Sequence, residues 1–303
     1  MTPIELIGLA AIGGGVGAWL RIVIRDECVD RGMSSWCAIM LINLLGSAVA
    51  GASLNCTINS PLWALFVLGF LAGFTTFSSM CIEVVSQWLI GCRRRACVIG
   101  IGTLVGGPLL VCGAAVAVTG LTTSASAATS TALVLRGRRI RHHSTSIVAI
   151  VAGGIVGTAL RASLYFSAEK LSVPFWTATA VANIVGAGCA GFVFRWLCAL
   201  DANGAARHTP IRRVRLERVL IFGFAGGLTT VSTLSVEIYL AAMTNPVDAV
   251  LIFAVNLGLG LLATSLGWWI ASRCFPQREP LAPAHSAQRH AQMTRCPDDQ
   301  TTP

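Results

Sequence analysis

Charged residues are scarce in this 303-residue chain. Aspartate, glutamate, lysine and arginine make up 12% of it, whereas 54% of the residues are hydrophobic. A soluble domain carries about a quarter charged residues. The mean hydropathy is +0.72, and apolar runs of about 20 residues recur, each long enough to cross a bilayer as a helix. The sequence therefore predicts an all-α integral membrane protein that is surrounded by the lipid bilayer.

Lysine is almost absent, with Lys170 as the single example. The GxxxxGK loop that binds nucleotide phosphates is therefore missing. Every other basic residue of the 22 is an arginine, and the formal charge is +9. These arginines lie in short stretches between the apolar runs, which is how a membrane protein fixes its orientation. We therefore expect no nucleic-acid partner.

The apolar runs also lack the residues of catalytic and metal sites. Eleven cysteines are scattered without a metal-ligand spacing or a disulfide framework. The apolar runs carry no central pair of carboxylates, since Glu83 and Glu237 fall toward the ends of theirs. All five histidines lie in the basic linkers or the C-terminal tail: His142, His143, His208, His285 and His290. We therefore expect no catalytic residue and no enzyme.

The chain contains an internal repeat. IGGGVGAWLR, which ends at Arg21, matches AGGIVGTALR, which ends at Arg161, and INLLGS matches ANIVGA; both pairs are offset by 140 residues. GFLAGFTTFSSMCIE (69–83) matches GFAGGLTTVSTLSVE (223–237) at an offset of 154 residues. The offsets indicate a duplicated four-helix unit. Their difference of 14 residues indicates an insertion in the second copy, visible as the long basic stretch from 195 to 218.

Four segments are predicted from this pattern. Residues 1–117 form the first four-helix unit, and residues 147–272 form the second. A linker (118–146) joins them, and a polar, proline-rich tail (273–303) is expected to be disordered. The predicted helices lie near 4–20, 36–54, 62–91 and 97–117 in the first copy, and near 147–165, 175–199, 218–243 and 247–271 in the second.

The arginines predict opposite orientations for the two units. If the loop at 93–95 is cytoplasmic, the first unit begins and ends outside. The most basic loop of the second unit then makes that unit begin and end inside. Every basic residue except Arg161 and Lys170 falls inside under this scheme. An inverted pair needs one more crossing, for which Val118–Leu135 is long enough. The alternative, a surface linker, gives both units the same orientation.

Each third helix carries a polar interruption. GFTTFSS (73–79) and GLTTVST (227–233) place glycine and hydroxyl residues in the middle of an apolar run, where they weaken a helix. A break there frees backbone carbonyls, which a membrane tolerates only where they are buried in protein or line a polar cavity. Such breaks often form ion sites in transporters. Hydroxyl and amide donors that add no charge suit a small anion better than a cation.

Asparagine and glycine recur at equivalent positions of the two copies. Asn43 and Asn183 lie in the middle of the second helices. A buried amide needs partners, so each asparagine either joins two helices or donates to an anion. The pairs Gly13–Gly17 and Gly153–Gly157 have the spacing of close helix packing, and we expect them to be structural.

These motifs, in this order and twice in one chain, resemble the CrcB/Fluc family of fluoride channels. The resemblance covers both four-helix units but neither the linker nor the tail. In that family two four-helix units pair antiparallel, form two narrow anion pores and hold a structural sodium ion at the centre. The resemblance implies a multi-pass channel of the cell (inner or plasma) membrane that exports fluoride passively. Since one chain supplies both units, it implies no obligatory second subunit.

The resemblance also implies site residues. Main-chain carbonyls of Ala72, Thr75, Gly226 and Thr229 would hold the sodium ion, and Ala72 replaces a usual glycine. Arg21 and Arg161 match the first-helix arginine of the family. The implied pore comprises the amides of Asn43 and Asn183, the hydroxyls of Ser78, Ser79, Ser232, Thr233 and Thr264, and the phenylalanine positions, here Phe77, Met80, Val231 and Leu234.

Three of these four phenylalanine positions hold another residue, which leaves open whether one or both pores conduct. The fourth helix of the first copy also lacks the expected hydroxyls near 102–110, apart from Thr103. Two alternatives remain. A dual-topology small-molecule exporter would need a carboxylate in the first helix, where only Glu5 is available near the end. A non-conducting partner subunit would fit the lost phenylalanines.

Overall fold

The computed structural model describes residues 1–55, 60–123, 144–202 and 210–276, and every regular element in these ranges is a helix. The first copy comprises α1 (Pro3–Asp30), α2 (Ser35–Ser53), α3 (Ser60–Trp63, Ala64–Leu71 and Ala72–Phe74 in succession), α4 (Phe77–Leu89) and α5 (Arg93–Thr123). The second comprises α6 (Ser144–Lys170), α7 (Phe175–Ala202), α8 (Pro210–Glu217, Arg218–Ala225 and Gly226–Leu228 in succession), α9 (Ser232–Thr244) and α10 (Pro246–Cys274).

Within the described ranges, eight helical runs are long and apolar enough to cross a membrane, with α3–α4 and α8–α9 each counted as one. Large apolar side chains such as Val105, Leu109, Val250 and Leu262 point outward, where lipid tails would surround them. Many of the polar side chains are buried instead. This confirms the predicted all-α membrane fold of two four-helix units.

Several helices extend beyond their predicted ends. The first helix was expected to end near residue 20, but α1 continues to Asp30 and therefore encloses Arg21. Arg161 lies inside α6, as the predicted helix near 147–165 already placed it, and both arginines are buried. The orientation scheme counted Arg21 on the inside and Arg161 on the outside, but burial in the helix bundle removes both from the count of loop residues.

The connections between helices are correspondingly shorter than predicted. α5 continues to Thr123 and takes up the first residues of the predicted linker helix at 118–135. The rest of that helix, and the tail beyond residue 276, lie outside the described residues. The basic stretch from 195 to 218 is largely helical, because α7 ends at Ala202 and α8 begins at Pro210.

Glycines bring the first and third helices of each copy into backbone contact. The Gly13–Gly17 pair lies against α3, where the carbonyl oxygens of Leu65 and Phe70 occupy the space that a Cβ atom would fill. The Gly153–Gly157 pair meets α8 in the same way. This confirms the expected structural role of both pairs, which let two backbones approach closely.

The first helices of the two copies, α1 and α6, pack face to face. Gly14 on α1 contacts Thr158 on α6, whereas Ala18 contacts Gly154. As the residue number increases along α1, the number of the contacting residue on α6 decreases. The two helices are therefore antiparallel. Since 14 is equivalent to 154 and 18 to 158, the two contacts are related by an approximate two-fold axis.

We predict that Gly17→Ala lowers the thermal stability of the purified protein, because a Cβ there would overlap the Phe70 carbonyl. Overpacking of this kind costs about 1–3 kcal/mol. The matched control is Gly8→Ala in the same helix, where no atom lies within 4 Å of the new Cβ. Equal melting temperatures for both variants would contradict the close packing of α1 on α3.

Candidate functional site

Each third helix breaks at its pair of threonines. Between α3 and α4, Thr75 has φ −87° and ψ 159°, and Thr76 has φ −148° and ψ 121°. Between α8 and α9, Thr229 has φ −91° and ψ 156°. These extended residues interrupt the helical hydrogen bonds in the buried middle of a membrane span, as the sequence predicted. A π-helix, a form that is frequent at functional sites, precedes both breaks (Ala64–Leu71 and Arg218–Ala225).

The threonine of each break caps the helix that follows the break in the other copy. The Thr229 hydroxyl accepts from the Ser78 amide at the start of α4, over 3.1 Å. The Thr75 hydroxyl accepts from the Ser232 amide at the start of α9, also over 3.1 Å. The hydroxyls of both pairs are in contact as well, at 3.1 and 3.0 Å. The two breaks therefore lie against each other, and each copy supplies the cap for the helix that follows the break in the other copy.

The two asparagines replace helical hydrogen bonds at the breaks. Asn43 accepts from the Thr76 amide (2.8 Å) and donates from Nδ2 to the Thr76 carbonyl (3.1 Å). Asn183 makes the same two bonds with Thr230, at 2.9 and 3.2 Å. Both asparagines are fully buried. Each joins the second helix to the broken third helix, which is one of the two roles that the sequence left open.

Arg21 satisfies carbonyls at both breaks. It donates from Nη1 to the carbonyls of Thr75 in its own copy and Gly226 in the other copy, each over 3.1 Å. Its Nη2 donates to the carbonyl of Phe222 in the other copy. A helix break leaves carbonyls without helical partners, and an unpaired buried carbonyl costs about 1–3 kcal/mol.

Arg161 makes the reciprocal contacts. It donates to the carbonyls of Ala72 (3.4 Å) and Leu68 (3.0 Å) in the first copy. These residues are equivalent to Gly226 and Phe222, so each arginine reaches the same two carbonyls of the opposite copy. Its Nη1 also donates to the carbonyls of its own copy, at Gly227 (2.6 Å) and Thr229 (3.4 Å). Neither guanidinium forms an ion pair with any carboxylate of the described chain.

All four carbonyls predicted to hold sodium thus accept hydrogen bonds from the two guanidinium groups. Thr75 and Gly226 share Arg21 Nη1, and Ala72 and Thr229 share Arg161 Nη1. Each pair of oxygens combines one residue from each copy. Main-chain carbonyl oxygens are suitable ligands for a hard cation. A carbonyl oxygen also has two lone pairs, so a hydrogen bond from arginine leaves room for a second partner.

The predicted pore hydroxyls divide into two groups. Those next to the breaks form networks with the second threonine of each pair, Thr76 and Thr230, over 3.2–3.4 Å. The members of these networks are Ser78, Ser79, Ser232 and Thr233. Thr264 lies apart on α10, where its hydroxyl donates to the carbonyls of Gly260 (2.9 Å) and Ala187 (3.3 Å).

The predicted phenylalanine positions meet in one buried apolar cluster. Phe77, Met80, Val231 and Leu234 are all fully enclosed there. The Phe77 ring lies against Gly260 of α10, in the space that a Cβ atom would need. Side chains from both copies therefore share this cluster, as expected for breaks that cross.

Three further polar residues near the breaks were not predicted from the sequence. Asn256 on α10 accepts from Asn183 Nδ2 over 3.0 Å. Ser47 on α2 lies 3.1 Å from Ser235 on α9, hydroxyl to hydroxyl. All three are fully buried. Ser47 follows Asn43 by one helical turn, a spacing that would have revealed it, whereas Asn256 has no asparagine counterpart in the first copy.

Two segments of the chain, residues 8–121 and 148–268, match the model of one protein family, described as CrcB-like protein, Camphor Resistance (CrcB). Together they cover well over half of the chain, with one match for each four-helix unit. The chain belongs to the CrcB family. The double match confirms that the repeat is a tandem copy of the CrcB unit.

Curated members of the family are similar to one copy at a time. A fluoride-specific ion channel FluC of Pseudomonas putida is 34% identical over 123 residues, which are 40% of this chain and 92% of the relative. FluC 2 of Shouchella clausii is 33% identical over 97 residues, or 31% of this chain and 84% of the relative. FluC 1 of Carboxydothermus hydrogenoformans is 37% identical over 86 residues, or 28% and 68%. No solved structure matches the chain.

We predict that Arg21→Met and Arg161→Met each lower the stability of the protein by about 3 kcal/mol or more, since at least two buried carbonyls lose their donor. The matched control is Arg94→Met, because Arg94 is exposed at the start of α5. Thermal unfolding in detergent, followed by circular dichroism, measures the difference. A melting temperature for Arg21→Met equal to that of the control would show that the arginine does not support the breaks.

Proposed function

We propose that this CrcB protein is a fluoride-specific ion channel of the cell membrane, through which fluoride leaves the cytoplasm down its electrochemical gradient. Lower internal fluoride would protect the cell from its toxicity. One observation carries the proposal: two helix breaks cross in the middle of the membrane spans, surrounded by hydroxyl and amide groups. The same breaks occur in a chain whose curated relatives are fluoride-specific ion channels.

The charges around the breaks favour an anion. Arg21 and Arg161 place two positive charges at the centre of the described bundle, where no carboxylate of the described chain pairs with them. In a low-dielectric interior such charges raise the local concentration of anions. The neutral donors of Asn, Ser and Thr can then replace the water that a fluoride ion loses on entering the protein. Hydrogen bonds to a charged acceptor are stronger than those between neutral groups.

The passage needs no energy coupling and no bond chemistry, so the protein is a transport protein rather than an enzyme. An exporter driven by protons would need a carboxylate within the first helix. Glu5 does not meet this requirement, because it is exposed and accepts a hydrogen bond from the Thr2 amide over 2.8 Å at the start of α1. This contact supports the channel over the exporter.

We propose that the two copies cross the membrane in opposite directions, and the antiparallel order of α1 and α6 supports this. An inverted second copy starts on the side of the membrane opposite to the end of α5. The chain would then need one more crossing between the two units, which is the role predicted from the sequence for a linker helix at 118–135; most of that helix lies outside the described residues. With the buried Arg21 and Arg161 set aside, Lys170 is the one basic residue that this scheme places outside.

A single chain would form the complete channel. Each break takes a cap from the threonine of the other copy and shares both arginines with it, and both copies are covalently joined. We therefore propose that fluoride and the lipid bilayer are the partners of this protein, and that no second subunit is required. The tandem match to the family supports this arrangement.

We also propose that the carbonyls of Ala72, Thr75, Gly226 and Thr229 bind a structural sodium ion. Their pairing, one carbonyl from each copy at each guanidinium group, supports the site. The neighbouring guanidinium groups oppose it, because they carry the same charge as the ion. When bound, sodium would supply a positive charge that holds the four carbonyls together; the residues of the chain position these oxygens through α3, α8 and the two breaks.

We predict that proteoliposomes with the purified protein release fluoride when a potassium ionophore dissipates the membrane potential. A fluoride electrode measures the efflux. Chloride efflux from matched vesicles is the specificity control, and it should not exceed that of empty vesicles. Fluoride release no faster than from empty vesicles would contradict the channel and would favour a non-conducting subunit.

We predict that sodium raises the melting temperature of the protein in a saturable way, because a ligand that binds only the folded state stabilises it. The comparison is between sodium chloride and N-methyl-D-glucamine chloride at equal ionic strength. Potassium chloride tests selectivity. Identical melting temperatures in the three salts would show that the arginines alone satisfy the carbonyls.

A further inference from the structure

Arginine side chains lie over aromatic rings at four places in the described chain, and all four are at the same end of the bundle. The pairs, with the distance from the guanidinium carbon to the ring centre, are Arg25 with Phe222 (4.8 Å), Arg93 with Trp88 (5.4 Å), Arg95 with Trp36 (5.8 Å) and Arg273 with Trp269 (5.3 Å). Ile82 of α4, Leu197 of α7 and Phe222 of α8 pack in one cluster. Phe275, which follows α10, contacts Trp196 of α7. The C-terminal parts of α4, α7 and α10 therefore lie at one end of the bundle.

The opposite end of the bundle has a different charge. α1 and α10 begin there, and α6, which is antiparallel to α1, ends there. The exposed charged side chains of the described ranges at that end are Glu5, Glu169, Lys170 and Asp248. Three of the four are acidic, and none is an arginine. Because both surfaces of a bilayer carry lipid phosphates, the arginine-rich end is the one that attracts such groups.

A tight turn joins α4 to α5 at the arginine-rich end. Gly91 has φ +85°, a left-handed conformation that favours glycine. The Gly91 amide donates to the Trp88 carbonyl over 3.1 Å, and the Cys92 amide donates to the Gln87 carbonyl over 2.9 Å. The chain therefore folds back at once, and the guanidinium group of Arg93 comes to lie over the Trp88 ring.

The arginines after this turn differ in their contacts. Arg95 is half-buried and donates to Oε1 of Gln87 over 3.3 Å. Arg93 and Arg94 are exposed, and neither side chain forms an ion pair with a residue of the described chain. Trp88 is 53% exposed at the end of its membrane span, the level at which tryptophan meets the lipid headgroups. We call Trp88, Arg93 and Arg94 the arginine turn.

The fourth helices of the two copies correspond at an offset of 153 residues. Val111 of α5 packs on Gly51 of α2. Thr264 of α10 packs on Gly191 of α7 in the same way. The arginine triplet at the start of α5 therefore corresponds to PVD (246–248) at the start of α10.

The two fourth helices consequently begin with opposite charges. The side chain of Asn245 caps α10 by accepting from the Val247 amide over 3.1 Å, and Asp248 lies in the first turn. A negative charge suits the positive end of the helix dipole, whereas a positive charge there is unfavourable. α5 has no acidic residue in its first turn and has three arginines instead. A negative group from outside the described chain would offset this excess of positive charge.

From these observations we infer that the arginine turn binds the phosphate group of an anionic phospholipid. A guanidinium group binds phosphate through two parallel hydrogen bonds, and Arg93 and Arg94 have no other partner for theirs. A phospholipid also brings acyl chains, which contact the exposed ring of Trp88 below the phosphate. A free phosphate ion offers no such second contact. Lipid binding requires no ion flux, so this inference does not depend on the proposed channel.

The test measures lipid binding to the detergent-solubilised full chain by native mass spectrometry. The probes are dioleoyl phosphatidylglycerol and dioleoyl phosphatidylcholine, which have the same acyl chains, and the anionic lipid should bind more tightly. Arg93→Gln and Arg94→Gln should each raise its dissociation constant about fivefold, the loss expected for one basic residue near a lipid surface. The matched control is Arg31→Gln, which should leave the constant unchanged. Arg31 is exposed at the same end but is paired with Glu27 over 2.7 Å.

Size-exclusion chromatography and thermal unfolding without added lipid check that the three variants are folded. Equal binding of the two lipids would overturn the inference, because acyl chains alone would then explain the binding. An equal loss in all three variants would also overturn it, because the net charge rather than the arginine turn would then attract the lipid. Displacement of the lipid by an equal concentration of inorganic phosphate would indicate a site for free anions instead. None of these measurements uses fluoride, so their failure is distinct from failure of the channel.

Discussion

The structure depends on how the polar backbone of two broken helices is satisfied inside a membrane. A break exposes amides and carbonyls that cannot find water in a bilayer core. Here the partners come from three directions: the asparagines of the second helices, the arginines of the first helices and the threonines of the opposite break. Two of these three sources reach across to the other copy. Neither copy can satisfy the polar groups of its own break alone. A broken third helix is therefore stable in the membrane only when a second copy is paired with it.

This requirement explains which residues stayed the same in the two copies. The groups that bond to the breaks are identical: Arg21 and Arg161, Asn43 and Asn183, and the two threonine pairs. The positions around them have diverged, including Phe77 and Val231, Ser47 and Ala187, and Thr103 and Asn256. Loss of either arginine would leave buried carbonyls unpaired in both copies at once.

The sequence allowed the repeat, the eight apolar runs and the helix breaks to be predicted, because each depends on local pattern: a fixed offset, run length, or glycine next to threonine. The depth of Arg21 could not be predicted in this way. An arginine at the end of an apolar run looks like a loop residue, and its burial is explained by the carbonyls of Thr75, Phe222 and Gly226, two of which belong to the opposite copy. The contact between Asn183 and Asn256 could not be predicted either, because it joins α7 and α10, and the sequence does not determine which residues of two packed helices lie at the same level.

Stability coupling between the two copies tests the crossed arrangement most directly. The measurement is a double-mutant cycle of thermal unfolding for Thr75→Ala with Ser232→Ala, repeated for Thr229→Ala with Ser78→Ala. Residues in hydrogen-bond contact couple by about 0.5 kcal/mol or more. The account predicts coupling of this size in both cross-copy pairs, and smaller coupling in the within-copy pairs Thr75 with Ser78 and Thr229 with Ser232. The account would be contradicted if the changes in unfolding free energy were additive in the cross-copy pairs but strongly coupled in the within-copy pairs. Each helix after a break would then be capped by the threonine of its own copy.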